Sequence, residues 1–298
     1  MGGPWWPAHS PRIAWRTVRL IAVLALCALS GCSASAPSSA PPSPRSQAPP
    51  TSAPLTPRWQ APPANAVFDY QVGGTYPPAT TVGIVDRDRT AAPVPGRYNI
   101  CYVNAFQTQP AENRWWRERH PTLLLKDAGG RYVEDLDWPG ERLLDISSPA
   151  RRAELAAIVA EWFAGCAARG YQAVEPDNLD SWTRSAGLLT QPDAVAFARL
   201  LVVAAHANGL AIGQKNTPAL AGAGIGFDFA VAEECAVYDE CGGYLTAYGD
   251  QVYEIEYTDN GLDAYRRACA DHGGRISILL RDRDVAAAGD AGYHSESC

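Results

Sequence analysis

Along residues 64–298, short apolar runs alternate with segments whose apolar positions recur every three or four residues. Apolar runs of this length, bounded by turn residues, predict buried strands. Eight occur, at residues 67–72, 81–86, 98–104, 172–177, 210–216, 227–233, 251–257 and 275–280. Between them, Leu155, Ile158, Val159, Trp162, Phe163 and Cys166 fall at helical spacing, with Pro149 to open the helix and Gly170 to stop it. A second helix is predicted over 192–208, with Ala194, Phe197, Leu200, Leu201, Val203 and Ala204 on its inner face, and a third over 260–272, before Gly273 and Gly274. Residues 105–148 interrupt the pattern. They predict a loop excursion with a hairpin and a short extra strand at 143–146. Buried strands alternating with helices imply a parallel α/β architecture, and eight of them fit a (β/α)8 TIM barrel. An open doubly wound sheet fits less well, because no GxGxxG follows the first strand.

The first 63 residues stand apart. Arg12, Arg16 and Arg19 precede a ten-residue apolar run at 20–29, which is too short to span a bilayer. It ends in Leu29-Ser30-Gly31-Cys32, which resembles a bacterial lipobox. The expectation is a lipoprotein signal peptide over 1–31, lipidation of Cys32, a Ser/Pro/Ala-rich tether over 32–63, and a catalytic domain over 64–298. The protein would be extracytoplasmic, held at the cell membrane by lipid alone, or secreted.

Charge narrows the partners. Residues 1–63 hold five arginines and no acid, which leaves 20 basic against 32 acidic side chains in the domain, a net of −12. Nucleic acid is disfavoured; a neutral or cationic ligand and a monomeric state are expected. Six cysteines remain in the domain: Cys101, Cys166, Cys235, Cys241, Cys269 and Cys298. An even number in an exported chain predicts disulfides, with 15 possible pairings. Cys235 and Cys241 are close enough to close a small loop. Five scattered histidines and no CxxC spacing give no basis for a metal site, and no cofactor is expected.

Polar residues recur at the carboxyl ends of the predicted strands: Asp86, Asn104, Glu175, Asp177, Lys215, Asn216, Glu233, Glu234 and Glu256. In a barrel these ends converge on one face, where active sites are built. Strand alternation points Glu175 and Asp177 the same way, and Pro176 between them should end the strand. Carboxylates contributed by different strands suit glycoside cleavage, in which one acid protonates the leaving oxygen and the other attacks or activates water. Tyr70, Tyr102, Trp138, Trp182 and Tyr257 are placed to stack on sugar rings. Lys215 at a strand end also fits a Schiff-base lyase, and a non-catalytic glycan-binding lipoprotein is a third reading.

The segments ICYVNA, DWPGERLLDI, GCAARGYQAVEPDNLDSW, HANGLAIGQKN, FDFAVAEECAVYDEC and EIEY resemble glycoside hydrolase family 114, the TIM-barrel endo-α-1,4-polygalactosaminidases. The resemblance runs from about Phe68 to Cys298. It implies that Asp177 and Glu233 are the catalytic carboxylates. Glu175, Lys215, Asn216, Asp86, Tyr102, Asn104 and Glu256 are the substrate-binding candidates around them. It further implies a polysaccharide of α-1,4-linked galactosamine, partly N-acetylated. The chain departs from the family at Ala232-Glu233-Glu234-Cys235, where Asn-Glu-Gln-Cys is usual, and at VGIVDRD in the second strand region.

Overall fold

A computed structural model of the protein describes residues 59–298. The expected signal segment, Cys32 and nearly all of the tether lie outside the described residues. Eight strands succeed one another in chain order around a barrel: β1 (Phe68–Tyr70), β2 (Ile84–Asp88), β3 (Tyr98–Asn104), β4 (Ala173–Asp177), β5 (Ala211–Lys215), β6 (Phe229–Glu233), β7 (Val252–Tyr257) and β8 (Ser277–Arg281). Each pairs in parallel with the next. β8 returns beside β1, where the Ser277 hydroxyl donates to the Ala66 carbonyl at 2.7 Å. A strand the sequence pattern does not reveal, β9 (Ser295–Ser297), adds antiparallel to β8. Its three residues are all exposed, so no apolar period marks it.

The helices are α1 (Asn113–Arg119), α2 (Pro149–Arg169), α3 (Gln191–Ala207), α4 (Cys241–Tyr248) and α5 (Asp263–His272). The expected alternation of strand and helix holds from β3 onward except between β5 and β6. Turns alone join β1 to β2 and β2 to β3, where Gly73, Gly74, Pro77, Pro78, Pro93 and Pro95 oppose a helix. One 3-10 turn, Pro218–Leu220, stands between β5 and β6. α2 begins and ends as the sequence predicts: Ser148 caps its start, Pro149 takes the first turn, and Gly170 closes it with φ of 95°. α3 opens on a reciprocal capping box between Thr190 and Asp193. α4 is missed by periodicity, because two glycines sit in its first turn.

Alternate strand residues fill the interior. Phe68, Ile84, Ile100, Ala173, Ala211, Phe229, Tyr253 and Leu279 form one buried cluster there, while Val174, Ile212, Ala230 and Ile278 face the helices. Gly213 is required by this packing: a Cβ on it would meet the Phe229 ring at 2.6 Å. At the opposite end from the strand tips, Trp59 lies flat on His206 with ring centroids 3.6 Å apart, and its indole N–H donates to Asp228. Tyr98 and Tyr253 donate to the carbonyls of Gln60 and Pro62. Among the described residues, packing against the barrel already includes Trp59, Gln60 and Pro62.

The six cysteines pair as Cys101–Cys166, Cys235–Cys241 and Cys269–Cys298. The first ties β3 to α2 across 65 residues and lies wholly in the core. By loop-closure entropy, replacing both its cysteines with serine is expected to cost about 4 kcal/mol, read as a lower denaturant midpoint. A wild-type midpoint in that variant would refute this.

One buried acid pair lies outside the barrel interior. Glu254 and Glu256 point outward from β7, and neither oxygen of Glu254 meets a donor. Burial, then the Glu256 charge, push Glu254 from 4.5 up to about 8. A raised folded value holds stability below pH 4.5 and loses it as pH rises toward 8. Glu254→Gln should therefore raise the melting temperature at pH 8, by roughly 4–8 °C for ~2 kcal/mol, and change it little at pH 4.5. Equal shifts at both pH values would refute the assignment.

Candidate active site

Strand alternation decides which strand-end residues face inward. Ala173 belongs to the interior cluster, so Glu175 and Asp177 point inward with it. The same parity turns Lys215 inward with Ala211, and Glu233 with Phe229 and Val231. Lys215 stands at the centre, only 2% exposed. Its Nζ lies 2.8 Å from Glu175 Oε1, 3.5 Å from Glu233 Oε2 and 3.7 Å from Asp177 Oδ2, and donates to the Tyr70 hydroxyl at 2.8 Å. Asp177 and Glu233 thus flank one ammonium, which limits the gap between them.

Each carboxylate has its own holders. Tyr102 donates to Asp177 Oδ2 at 2.8 Å and the Asn178 amide to Oδ1 at 2.7 Å. Tyr257 donates to Glu233 Oε1 at 2.5 Å. Asn216 makes two bonds to Glu233: Nδ2 donates to Oε2 at 2.8 Å, and Oδ1 accepts from the Glu233 backbone at 2.8 Å. Tyr70 donates to Glu175 Oε1 at 3.2 Å. Asn104 stands one step back, donating to Glu141 and accepting from Asn178.

The electrostatics follow. Burial by itself would lower the Lys215 ammonium, but Asp177, Glu175 and Glu233 outweigh burial and hold it well above its ordinary value. Burial raises Asp177, and Glu233 and Glu175 add to that against Lys215. Burial would also raise Glu233. Lys215, the bonds from Tyr257 and Asn216, and the Arg283 charge overcome it and hold Glu233 below the usual glutamate range. The unliganded site therefore separates the two carboxyls, one toward the acid and one toward the anion.

Backbone strain marks the same strand tips. Asn178, Asn216, Thr217 and Glu234 all adopt positive φ, at 66°, 47°, 61° and 59°. They follow Asp177, Lys215 and Glu233 immediately. Left-handed backbone at Thr217 and Glu234 is costly and is held by the surroundings. Glu234 is fastened at the rim by Arg283 at 2.6 Å and Asn260 at 2.5 Å, and Arg283 lies 4.1 Å over the Tyr257 ring. Pro176 ends the β4–β5 ladder at Val174, as expected, but on the β3 side pairing continues to Asp177. The Glu175–Pro176 bond is trans.

Three sequence expectations need correction. Asp86 is not at a strand end. β2 runs on through Arg87 and Asp88, so Asp86 is mid-strand and completely buried. Arg87, paired outward with Gln71 and the Tyr76 carbonyl, breaks the apolar run without ending the strand. Glu256 has outward parity and accepts from the Ala236 amide, away from the interior. Tyr70 and Tyr257, 1% and 2% exposed, are closed to a sugar face, and their hydroxyls hold carboxylates instead.

Glu141 is a site residue that sequence reasoning misses. The 105–148 excursion folds back through antiparallel bridges at Gln107–Leu143, Leu124–Leu144, Lys126–Tyr132 and Glu134–Arg142. This brings Glu141 to Asn104 at 2.8 Å. Burial, offset by that bond and reinforced by Asp177, pushes Glu141 up to about 8. Its neighbourhood, DWPGERLLDI, carries the family resemblance but does not single out Glu141, because the contact exists only after the excursion closes. Cys235, Cys241 and Glu254 form a cluster of metal-ligand spacing among the described residues, but the two sulfurs are joined to each other.

The fold has counterparts among known proteins. The structure of Ega3 from Aspergillus fumigatus in complex with galactosamine is similar at 25% identity and a TM-score of 0.62, over 80% of this chain and 98% of that one. The glycoside hydrolase domain of PelA from Pseudomonas aeruginosa, in a variant form, shares the fold at 17% identity and a TM-score of 0.50, over 77% of this chain and 98% of that one. No curated protein matches the chain. The profile of glycoside-hydrolase family GH114 matches residues 48–298. With a barrel whose strand tips gather two carboxylates around one lysine, the chain belongs to glycoside-hydrolase family GH114 and is a glycoside hydrolase.

Proposed function

We propose that the protein cleaves α-1,4-linked galactosamine polymers, partly N-acetylated, in endo fashion, with Asp177 and Glu233 as the reacting carboxylates. The observation that carries this is the Lys215-bridged pair of Asp177 and Glu233 at the strand tips. The similarity to galactosamine-bound Ega3 supports the sugar. The acidic domain agrees with a substrate whose free amines are cationic.

In this mechanism one carboxyl gives its proton to the glycosidic oxygen as the bond to the anomeric carbon breaks. The other, ionised, meets the positive charge that develops on the sugar, either by bonding to carbon or by taking a proton from water. Tyr102 and the Asn178 amide hold Asp177; Tyr257 and Asn216 hold Glu233. Lys215 stands between the two carboxyls and stays an ammonium, which opposes a Schiff-base role: an amine held in its charged form by three carboxyl groups has no free lone pair. Family membership with both carboxylates present favours catalysis over a non-catalytic binder.

We further propose export by the 1–31 segment, anchoring through Cys32 and a monomeric domain. Reducing-end release from a panel of galactosamine and N-acetylgalactosamine polymers tests the activity. Binding of these glycans without any new reducing ends would overturn it. Labelling with a radioactive fatty acid, lost in Cys32→Ser, tests the anchor.

A further inference from the structure

Four carboxyl groups crowd the barrel interior around one lysine: Asp86, Glu175, Asp177 and Glu233. Asp86 and Glu175 are completely buried. Neither oxygen of Asp86 meets a donor, and Glu175 Oε2 meets none either. Glu175 Oε1 is occupied by Lys215 and Tyr70. Three buried acceptor atoms without a protein donor are costly, and two facing buried carboxylates more so. A single proton between the two groups relieves both problems.

We propose that Asp86 is kept as a neutral carboxylic acid whose O–H donates to Glu175 Oε2, which makes it a positioning residue for the reacting pair. Register places Asp86 beside Ile100, one layer below Glu175, which pairs with Tyr102, and two below Asp177, which pairs with Asn104. It reaches no substrate. It acts through Glu175, which presents its other oxygen to Lys215, which in turn stands between Asp177 and Glu233. Burial first, then the Glu175 charge and a hydrogen bond with Glu175, hold the Asp86 carboxyl well above its ordinary range. The groups acting on Asp86 are Glu175 and Asp177 of β4 and Lys215 of β5; Tyr70 of β1, Tyr102 of β3 and Glu233 of β6 meet the same lysine.

The proposal builds on the glycosidase reading but is tested apart from it. Infrared difference spectra of wild type against Asp86→Asn at neutral pH should show one protonated-carboxyl band lost, whatever the substrate proves to be. No protonated-carboxyl band lost between wild type and Asp86→Asn overturns the proposal and leaves the glycosidase reading untouched. Where galactosamine polymer is cleaved, Asp86→Asn keeps a donor to Glu175 and should retain the larger part of kcat. Asp86→Ala orphans Glu175 and should lower kcat about tenfold or more, with KM unchanged. Equal losses in the two variants, or none in Asp86→Ala, also overturn it; should Asp86→Ala not fold, the spectra still decide.

Discussion

Asp177→Asn and Glu233→Gln are each expected to lower kcat on galactosamine polymer by about 10³-fold or more while leaving the fold intact. Each amide fills the volume of its acid. The asparagine side chain would still accept the Tyr102 hydroxyl through its carbonyl, and the glutamine side chain would still accept from Tyr257. What each loses is the ability to hold a transferable proton or a full negative charge. Circular dichroism and the melting temperature check the fold; initial rates of reducing-end release check the chemistry. Adding azide separates the roles. In the variant of the carboxyl that works against carbon or water it restores turnover as a glycosyl azide of inverted configuration; in that of the acid it gives none, or one of retained configuration. Wild-type rates in both variants would remove these residues from the reaction.

Lys215→Met should damage both stability and turnover. Its ammonium is the one cation, among the described residues, that Glu175, Asp177 and Glu233 all meet within 3.7 Å. Removing one partner from a buried ionic cluster leaves uncompensated charge and typically costs about 3–5 kcal/mol. The melting temperature should fall by roughly 10 °C, and kcat by two orders of magnitude or more. Adding Glu175→Gln to the same chain removes one of the stranded charges. It should recover part of the stability and none of the turnover, because Asp177 and Glu233 still lack their common partner. A Lys215→Met protein as stable as wild type would show that the cluster does not depend on the lysine charge. Full loss of activity with unchanged stability would instead revive a covalent role for the amine.

Much of this protein can be read along the chain. Local rules suffice for the strands, for α2 between Ser148 and Gly170, and for the inward pairing of Glu175 with Asp177, because apolar period, capping and side-chain alternation are short-range. The barrel follows from the count of buried runs. Tertiary structure decided the rest. Asp86 looked like a strand tip because Arg87 and Asp88 end the apolar run, yet β3 pairs with β2 through those charges and sinks Asp86 into the interior. Glu256 is excluded because Tyr253, Ile255 and Tyr257 take the interior, and which of two alternating rows faces inward is settled by packing. Glu141 reaches Asn104 only because the excursion folds back on itself. Tyr70 and Tyr257, aromatic and polar at once, take their function from which end of the side chain the barrel buries. Residue types set what chemistry was possible at the strand tips; burial and partner distance, which depend on contacts far apart in the chain, decided which groups carry charge and which face the sugar.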